Sequence, residues 1–291
     1  MRRWFTVAAA ATVALVAVAG CTAGTGTDGD LTGGWAMIGP AVPFRPASGV
    51  CHENLPADGS LETYRPVPCT ELHLTETFAV RTAPDAPVPP TPGSAPSREA
   101  YEQCARQADA FLGGPWREAQ IGVRVFWPSR AGWRGGARWY RCDVTEADAD
   151  GLADRSRTGS LAGALRGASP LRLGCFEPRV NGDTVRAMAP VACTKPHRAE
   201  FVGLWSAPEV SYAALSDDRT GTARGCRSEI ARYAGVPDDD EVQYRSGWIS
   251  YQPSRTEWQL GERRVRCFLW FRDRKLTRSI RDAGPTVLPV H

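Results

Sequence analysis

The chain has 291 residues, 42% of them hydrophobic and 23% charged, with a formal net charge of +3, a globular composition with room for two domains. Without Arg2 and Arg3 the charge is +1. Basic and acidic residues balance at 10 each over 51–142 and 13 each over 175–267. The basic footprint of a nucleic-acid binder is missing, so no nucleic acid is expected as a partner.

Residues 1–20 read as a signal peptide. Met1-Arg2-Arg3 is a short basic start, and Trp4–Ala19 is an apolar run too short and too rich in alanine for a stable membrane span. Val18-Ala19-Gly20-Cys21 resembles a bacterial lipobox, which makes Cys21 the expected lipidation site. The mature protein is then expected on the extracytoplasmic face of the cell membrane, lipid-anchored. Residues 21–47 begin with a Gly/Thr/Asp tract that reads as a flexible tether, followed by an arm with three prolines.

A first module is expected over 48–143. Strand-like runs lie at Gly49–Cys51, Tyr64–Cys69 and Leu74–Val80, and a proline-rich loop follows at 84–96. Ser97 is the predicted N-cap of a helix reaching Leu112, with Ala100, Tyr101, Cys104, Ala105, Ala108, Phe111 and Leu112 on one stripe. Two further strands are expected, one with Ile121, Val123, Val125 and Trp127 alternating, the other turning Cys142 inward. Residues 144–170 read as a linker. A second module, 171–291 with its C-terminal tail, repeats the order: strands at Leu171–Phe176, Val185–Cys193 and Arg198–Trp205, a helix from about Thr220 to Ala234 closed by Gly235, then strands at Val242–Tyr251 and around Val265–Phe271.

Counting supports the repeat. The cysteine intervals are 18, 35 and 38 residues in the first module and 18, 33 and 41 in the second, and 126–142 aligns with 251–267 without a gap, with eight of 17 positions identical. The tails also correspond, Arg157-Thr158-Gly159-Ser160-Leu161 with Leu276-Thr277-Arg278-Ser279-Ile280. The expected fold class is therefore α+β: two tandem homologous disulfide-bonded modules, each a small mainly antiparallel sheet with one helix.

With Cys21 acylated, eight cysteines remain, four to a module, as expected of disulfides in an exported protein. Cys51 and Cys69 lie on adjacent predicted strands, as do Cys175 and Cys193, which favours Cys51–Cys69 with Cys104–Cys142 and Cys175–Cys193 with Cys226–Cys267. Zinc is the rival reading. The tight CxxC spacing of a zinc knuckle is missing, so neither metal nor cofactor is expected.

Each module also carries a Cys-x3-His-x2-Glu run: Cys69, His73 and Glu76, then Cys193, His197 and Glu200. A histidine beside a carboxylate suits a general base or half a metal site. With the thiols paired, however, no nucleophile or further ligand recurs beside it. The favoured reading is a turn held by hydrogen bonds, leaving His73, Glu76, His197 and Glu200 as candidate binding residues and no catalytic residue. Because strand positions three apart face opposite sides, the glutamate need not touch the histidine. Trp133 and Trp258, each nine residues before the final cysteine of a module, are core lids or exposed platforms for a sugar or peptide. Arg138 and Arg263 read as solvated, and 238–241 as a solvated acidic loop.

Cys175-Phe176, Val191, Cys193, Pro196, His197, Glu200, Phe201, Cys226, Pro253, Trp258, Gly261, Arg263, Val265 and Cys267 together resemble the septum formation domain of actinobacterial membrane proteins and lipoproteins. The first module is similar more loosely, with His52 where the family has phenylalanine and Leu72 where it has proline. The resemblance implies an extracytoplasmic domain tied to cell division or envelope assembly, without established catalytic residues. The expected function is a non-enzymatic binding or scaffold protein of the cell envelope, its partner an envelope or division protein or a cell-wall component. The alternative is an envelope hydrolase or metal-dependent enzyme using His197 and Glu200.

Overall fold

A computed structural model describes residues 39, 42–56, 58–151, 153–182 and 184–290. Cys21 and its lipobox lie outside the described residues, and among those described no helix is long and apolar enough to cross a membrane.

The first sheet contains β1 (Val50–His52), β2 (Pro66–Val67), β3 (Thr75–Thr82), β4 (Ile121–Phe126), β5 (Trp139–Ala147) and β6 (Asp154–Arg155). Its order is β2-β1-β3-β5-β4, with β6 on β5. The second contains β7 (Cys175–Asn181), β8 (Thr184–Val191), β9 (Ala199–Ser206), β10 (Gly247–Tyr251) and β11 (Arg264–Trp270), in the order β10-β11-β9-β7-β8. With β1 matched to β7 through their cysteines, the two orders are the same, and every pairing is antiparallel. The architecture is α+β, two small sheets each backed by one long helix.

The first long helix, α1 (Ala95–Leu112), buries Ala100, Tyr101, Cys104, Ala105, Ala108 and Leu112, which places its stripe on the inner face of β3, β4 and β5. Its N-cap is Ser94 rather than Ser97. Pro96 fits the first turn, where its missing N–H has no intrahelical partner to lose, so the helix starts earlier than the hydroxyl alone suggested. The second module carries α3 (Tyr212–Asp217) and α4 (Arg219–Ala234). Gly225 is needed within α4: a Cβ there would meet the Trp205 ring at 2.3 Å. Gly113 and Gly235 close α1 and α4 in the left-handed conformation.

Each module has one short helix in the equivalent place, α2 (Arg130–Arg134) between β4 and β5 and α5 (Arg255–Gln259) between β10 and β11. They occupy the aligned Pro-Ser-Arg-x-x-Trp segments, with Ser129 and Ser254 accepting at their N-termini. In place of one strand over Val242–Tyr251, a 3-10 turn (Asp240–Tyr244) precedes β10. Asp239 caps that turn through its side chain, and the local aspartate chemistry overrides the apolar alternation.

Four disulfides tie helix to sheet and strand to turn: Cys51–Cys69, Cys104–Cys142, Cys175–Cys193 and Cys226–Cys267. This is the pairing favoured from strand adjacency.

Residues 144–170, read as a linker, carry structure of the first module. β5 runs on to Ala147 and pairs with β6, and Leu161 and Leu165 are buried in the α1 core. The apolar leucines of this tail need cover, and α1 supplies it. The modules then meet directly. The backbone of Gln120 donates to Leu171 and that of Leu173 to Glu118, while the half-buried Arg266 of β11 donates to the carbonyls of Ala119 and Ile121 at 3.1 and 3.3 Å.

Candidate functional site

The two His-x-x-Glu runs fold into closely similar latches. His197 sits in the turn before β9, where its backbone bridges that of Leu276 in both directions. Its Nδ1 lies 2.7 Å from the Lys195 carbonyl and its Nε2 3.0 Å from Glu200 Oε1. Glu200, fully buried, accepts from the Tyr233 hydroxyl at 2.7 Å, the Ser279 hydroxyl at 2.8 Å and the Ile280 backbone at 3.1 Å. One carboxylate thus joins the β8–β9 turn, α4 and the C-terminal tail.

The first module repeats this in reduced form. His73 bridges Arg157 through the backbone and places Nδ1 2.8 Å from the Glu71 carbonyl. Glu76 accepts from the Ser160 hydroxyl and the Leu161 backbone, each at 2.6 Å. The tail segments matched by sequence, 157–161 and 276–280, are therefore the segments that close the two latches. The His–Glu contact made in the second module departs from the alternation argument because His197 lies in a turn, before the two-residue period begins.

Cys175, His197 and Glu200 place ligand-type atoms within 4.8 Å of one another, as do Cys51, Cys69 and Glu76. In both groups every sulfur is bound in a disulfide, so no thiolate is offered to a cation. His197 and Glu200 are each 0% exposed, and all three donors to the Glu200 carboxylate besides His197 come from the fold itself. No substrate reaches this pair without opening the module.

Trp133 and Trp258 are buried lids and not exposed platforms. Their indole N–H groups donate to the carbonyls of Ala86 and Val210, and Arg138 and Arg263 stack over the rings at 4.4 and 3.9 Å. These arginines also take the Trp133 and Trp258 carbonyls, and pair with Asp85 and Glu209. Arg138 and Arg263, just before β5 and β11, therefore lock the tryptophan lid in each module.

A buried polar cluster, unread in the sequence, lies on the face of the first sheet away from α1. Asp143 accepts from the Thr75 and Thr77 hydroxyls at 3.1 and 2.8 Å and pairs with Arg141 at 3.0 Å. His52 Nε2 lies 3.0 Å from the Thr77 hydroxyl and 3.2 Å from Arg141. Burial, then the Arg141 charge, lowers the His52 pKa from 6.5 to about 4. Burial pushes Asp143 upward, against the pull of Arg141 and the two hydroxyls. The second module fills the matching places with Phe176, Ala199, Phe201 and Phe268, an apolar cluster with edge-to-face rings. The departure of His52 from the family's phenylalanine was the visible signal. What it lacked was the register that brings Thr75, Thr77 and Asp143 beside it.

Between the modules is a small crevice of ≈ 50 Å³ lined by Trp116, Arg117, Tyr251, Glu257, Glu262 and Arg266 among others. Glu262 accepts from Arg117 at 2.7 Å and from Tyr101 at 3.2 Å, and Arg124 of β4 pairs with Glu257 at 3.5 Å. These groups join the modules across the crevice and are largely occupied in doing so.

Compared with known families, residues 48–267 match the model described as septum formation in one continuous stretch covering both sheets. The chain belongs to the septum formation family. No curated protein matches it, and no solved structure does. For a septum formation protein, the cysteines, histidines, glutamates and tryptophans that carry the resemblance form the disulfides, latches and lids of the fold. Membership relates the chain to septum formation, a cell-division process. The residues that build the modules are legible in the family pattern, and the surfaces between and beside them are not.

Proposed function

We propose that this protein is a lipid-anchored, extracytoplasmic, non-enzymatic binding or scaffold protein of the cell envelope that serves septum formation. Cys21 is its lipidation site, and the tether over 21–47 holds the paired modules off the membrane. The family match over 48–267 carries the proposal. The burial of both His/Glu latches supports a binding role over hydrolysis, because the best acid–base candidates face inward. The direct union of the modules, through Arg266 and the Glu262–Arg117 pair, supports a rigid spacer whose outer surfaces meet a partner.

The test is imaging of a fluorescent fusion in dividing cells beside its Cys21→Ala version. Concentration at division sites, lost with the anchor, is the expected result. An even envelope signal for the intact protein would overturn the septal role.

A further inference from the structure

The crevice between the modules holds hydrogen-bond donors that the fold does not use. Trp116 lines it from the first module, Tyr251 and Arg264 from the second. The Trp116 indole N–H is buried and has no partner, although a buried indole ordinarily finds one. Among the described residues, the Tyr251 hydroxyl and the Arg264 guanidinium make no hydrogen bond or ion pair. Burial, then the Asp150 charge, raises the Tyr251 pKa to about 12, which keeps this hydroxyl a donor well into the alkaline range.

The acceptors of the crevice are taken. Glu262 accepts from Arg117, Tyr101 and the backbone N–H groups of Arg263 and Arg264. Glu257 accepts from Ser254 and pairs with Arg124, and Asp150 has a partner of its own. An orphaned buried N–H calls for an acceptor, and two further donors in the same crevice call for a group with two oxygens. Three guanidiniums and three carboxylates line the crevice. That balance disfavours a dianion such as phosphate and suits a single negative charge beside Arg264.

Size narrows the ligand further. A volume of ≈ 50 Å³ holds about three to five water-sized groups, enough for a carboxylate and the carbon that bears it but not for a sugar ring. The crevice runs into a wider groove of ≈ 390 Å³ that shares Gly151, Ser254 and Glu257 with it. Leu55, Val123, Val125, Phe126 and Leu260 give that groove apolar walls.

We propose that the crevice binds the C-terminal carboxylate of a peptide, whose last apolar side chains lie in the groove along β4. The carboxylate oxygens accept from the Trp116 indole, the Tyr251 hydroxyl and Arg264, the last a charge-assisted bond. A free small carboxylic acid has the same head group but leaves the apolar groove unused. The meeting of two modules is also where ligand sites preferentially occur. This names a ligand class for the binding role proposed above and rests on that role.

The test uses the purified full-length protein in detergent micelles and a labelled tetrapeptide ending in valine and alanine. Its free acid, its C-terminal amide and acetate are compared, with fluorescence anisotropy reading the peptides. The acid should bind at least about tenfold more tightly than the amide. Tyr251→Phe with Arg264→Gln removes two groups that the fold leaves unpartnered, so it should abolish that preference with the thermal midpoint unchanged. The Trp116 indole N–H resonance, assigned by its loss in Trp116→Phe, should shift with the acid and not with the amide. If the double variant misfolds, the acid–amide comparison and the indole signal of the unaltered protein still decide. Equal binding of acid and amide, no binding by either, or an unmoved Trp116 signal, as for an N–H served by water alone, would overturn the proposal. Acetate moving that signal at the same concentration as the peptide would overturn a peptide as the source of the carboxylate. Septal imaging reads the cellular role separately, so a failure of this assay leaves that result standing.

Discussion

His52 and Phe176 occupy the same place in the two sheets, each one residue after the first cysteine of its module. Around Phe176 the neighbouring positions are aromatic or alanine, and around His52 they are threonine, threonine and aspartate. A whole layer has changed from apolar to polar while the strand order stayed the same. Hydrogen bonds within the layer offset the cost of burying it.

That exchange gives the first module a pH dependence through His52. The folded chain resists protonation of His52 until about pH 4, whereas the unfolded chain accepts the proton near 6.5. Stability from this group is complete above pH 6.5 and is lost as pH falls towards 4, by about 2 kcal/mol once residual solvent screening is allowed for. Asp143 shifts upward and acts in the opposite sense. The comparison with His52→Gln isolates the histidine. Urea midpoints at pH 7 and pH 4.5 should converge for the variant more than for the unaltered protein.

Glu200 and Glu76 predict a graded pair of effects. Glu200→Ala strips the acceptor from Tyr233, Ser279, Ile280 and His197 and should cost about 3–5 kcal/mol. Glu76→Ala takes the acceptor from two donors, the Ser160 hydroxyl and the Leu161 backbone, and should cost about 2–3 kcal/mol. Chemical denaturation measures both, and exchange at 276–280 should rise for the first variant alone.

Much of this was legible in the sequence, for a physical reason. Cysteines on neighbouring strands have few partners within reach, and a doubled motif fixes which spacings are structural. The α1 and α4 stripes and the alternating strands follow directly from burial on one face. The tail match 157–161 with 276–280 was visible, but its purpose, closing a carboxylate latch, depends on a contact 80 residues away in sequence. The 144–170 segment read as a linker because its glycines and serines hide two core leucines. The crevice between the modules and the Arg266 contact were not legible, because tertiary juxtaposition leaves no local period.

Arg266 and Glu262 predict how the modules unfold. Arg266→Ala leaves the carbonyls of Ala119 and Ile121 without their donor and should cost about 2–3 kcal/mol. Calorimetry should then resolve two transitions where the unaltered protein gives one, because the modules lose a shared contact.

The disulfides differ in loop length, which ranks them. Removing Cys226–Cys267, which closes 41 residues, should cost about 4 kcal/mol, and removing Cys175–Cys193, which closes 18, about 3 kcal/mol in the chain-entropy picture. Paired alanine variants, with thermal unfolding as the readout, check the order.

The central claim is that this septum formation protein works by binding at the division site, with its motif residues serving the fold. Proximity labelling in growing cells tests it most directly, with the labelling enzyme fused to the intact protein and to its Cys21→Ala version. Enrichment of division proteins by the anchored form, falling sharply without the anchor, is the result this account predicts. Labelling spread evenly over envelope proteins, with no division proteins enriched, would contradict it.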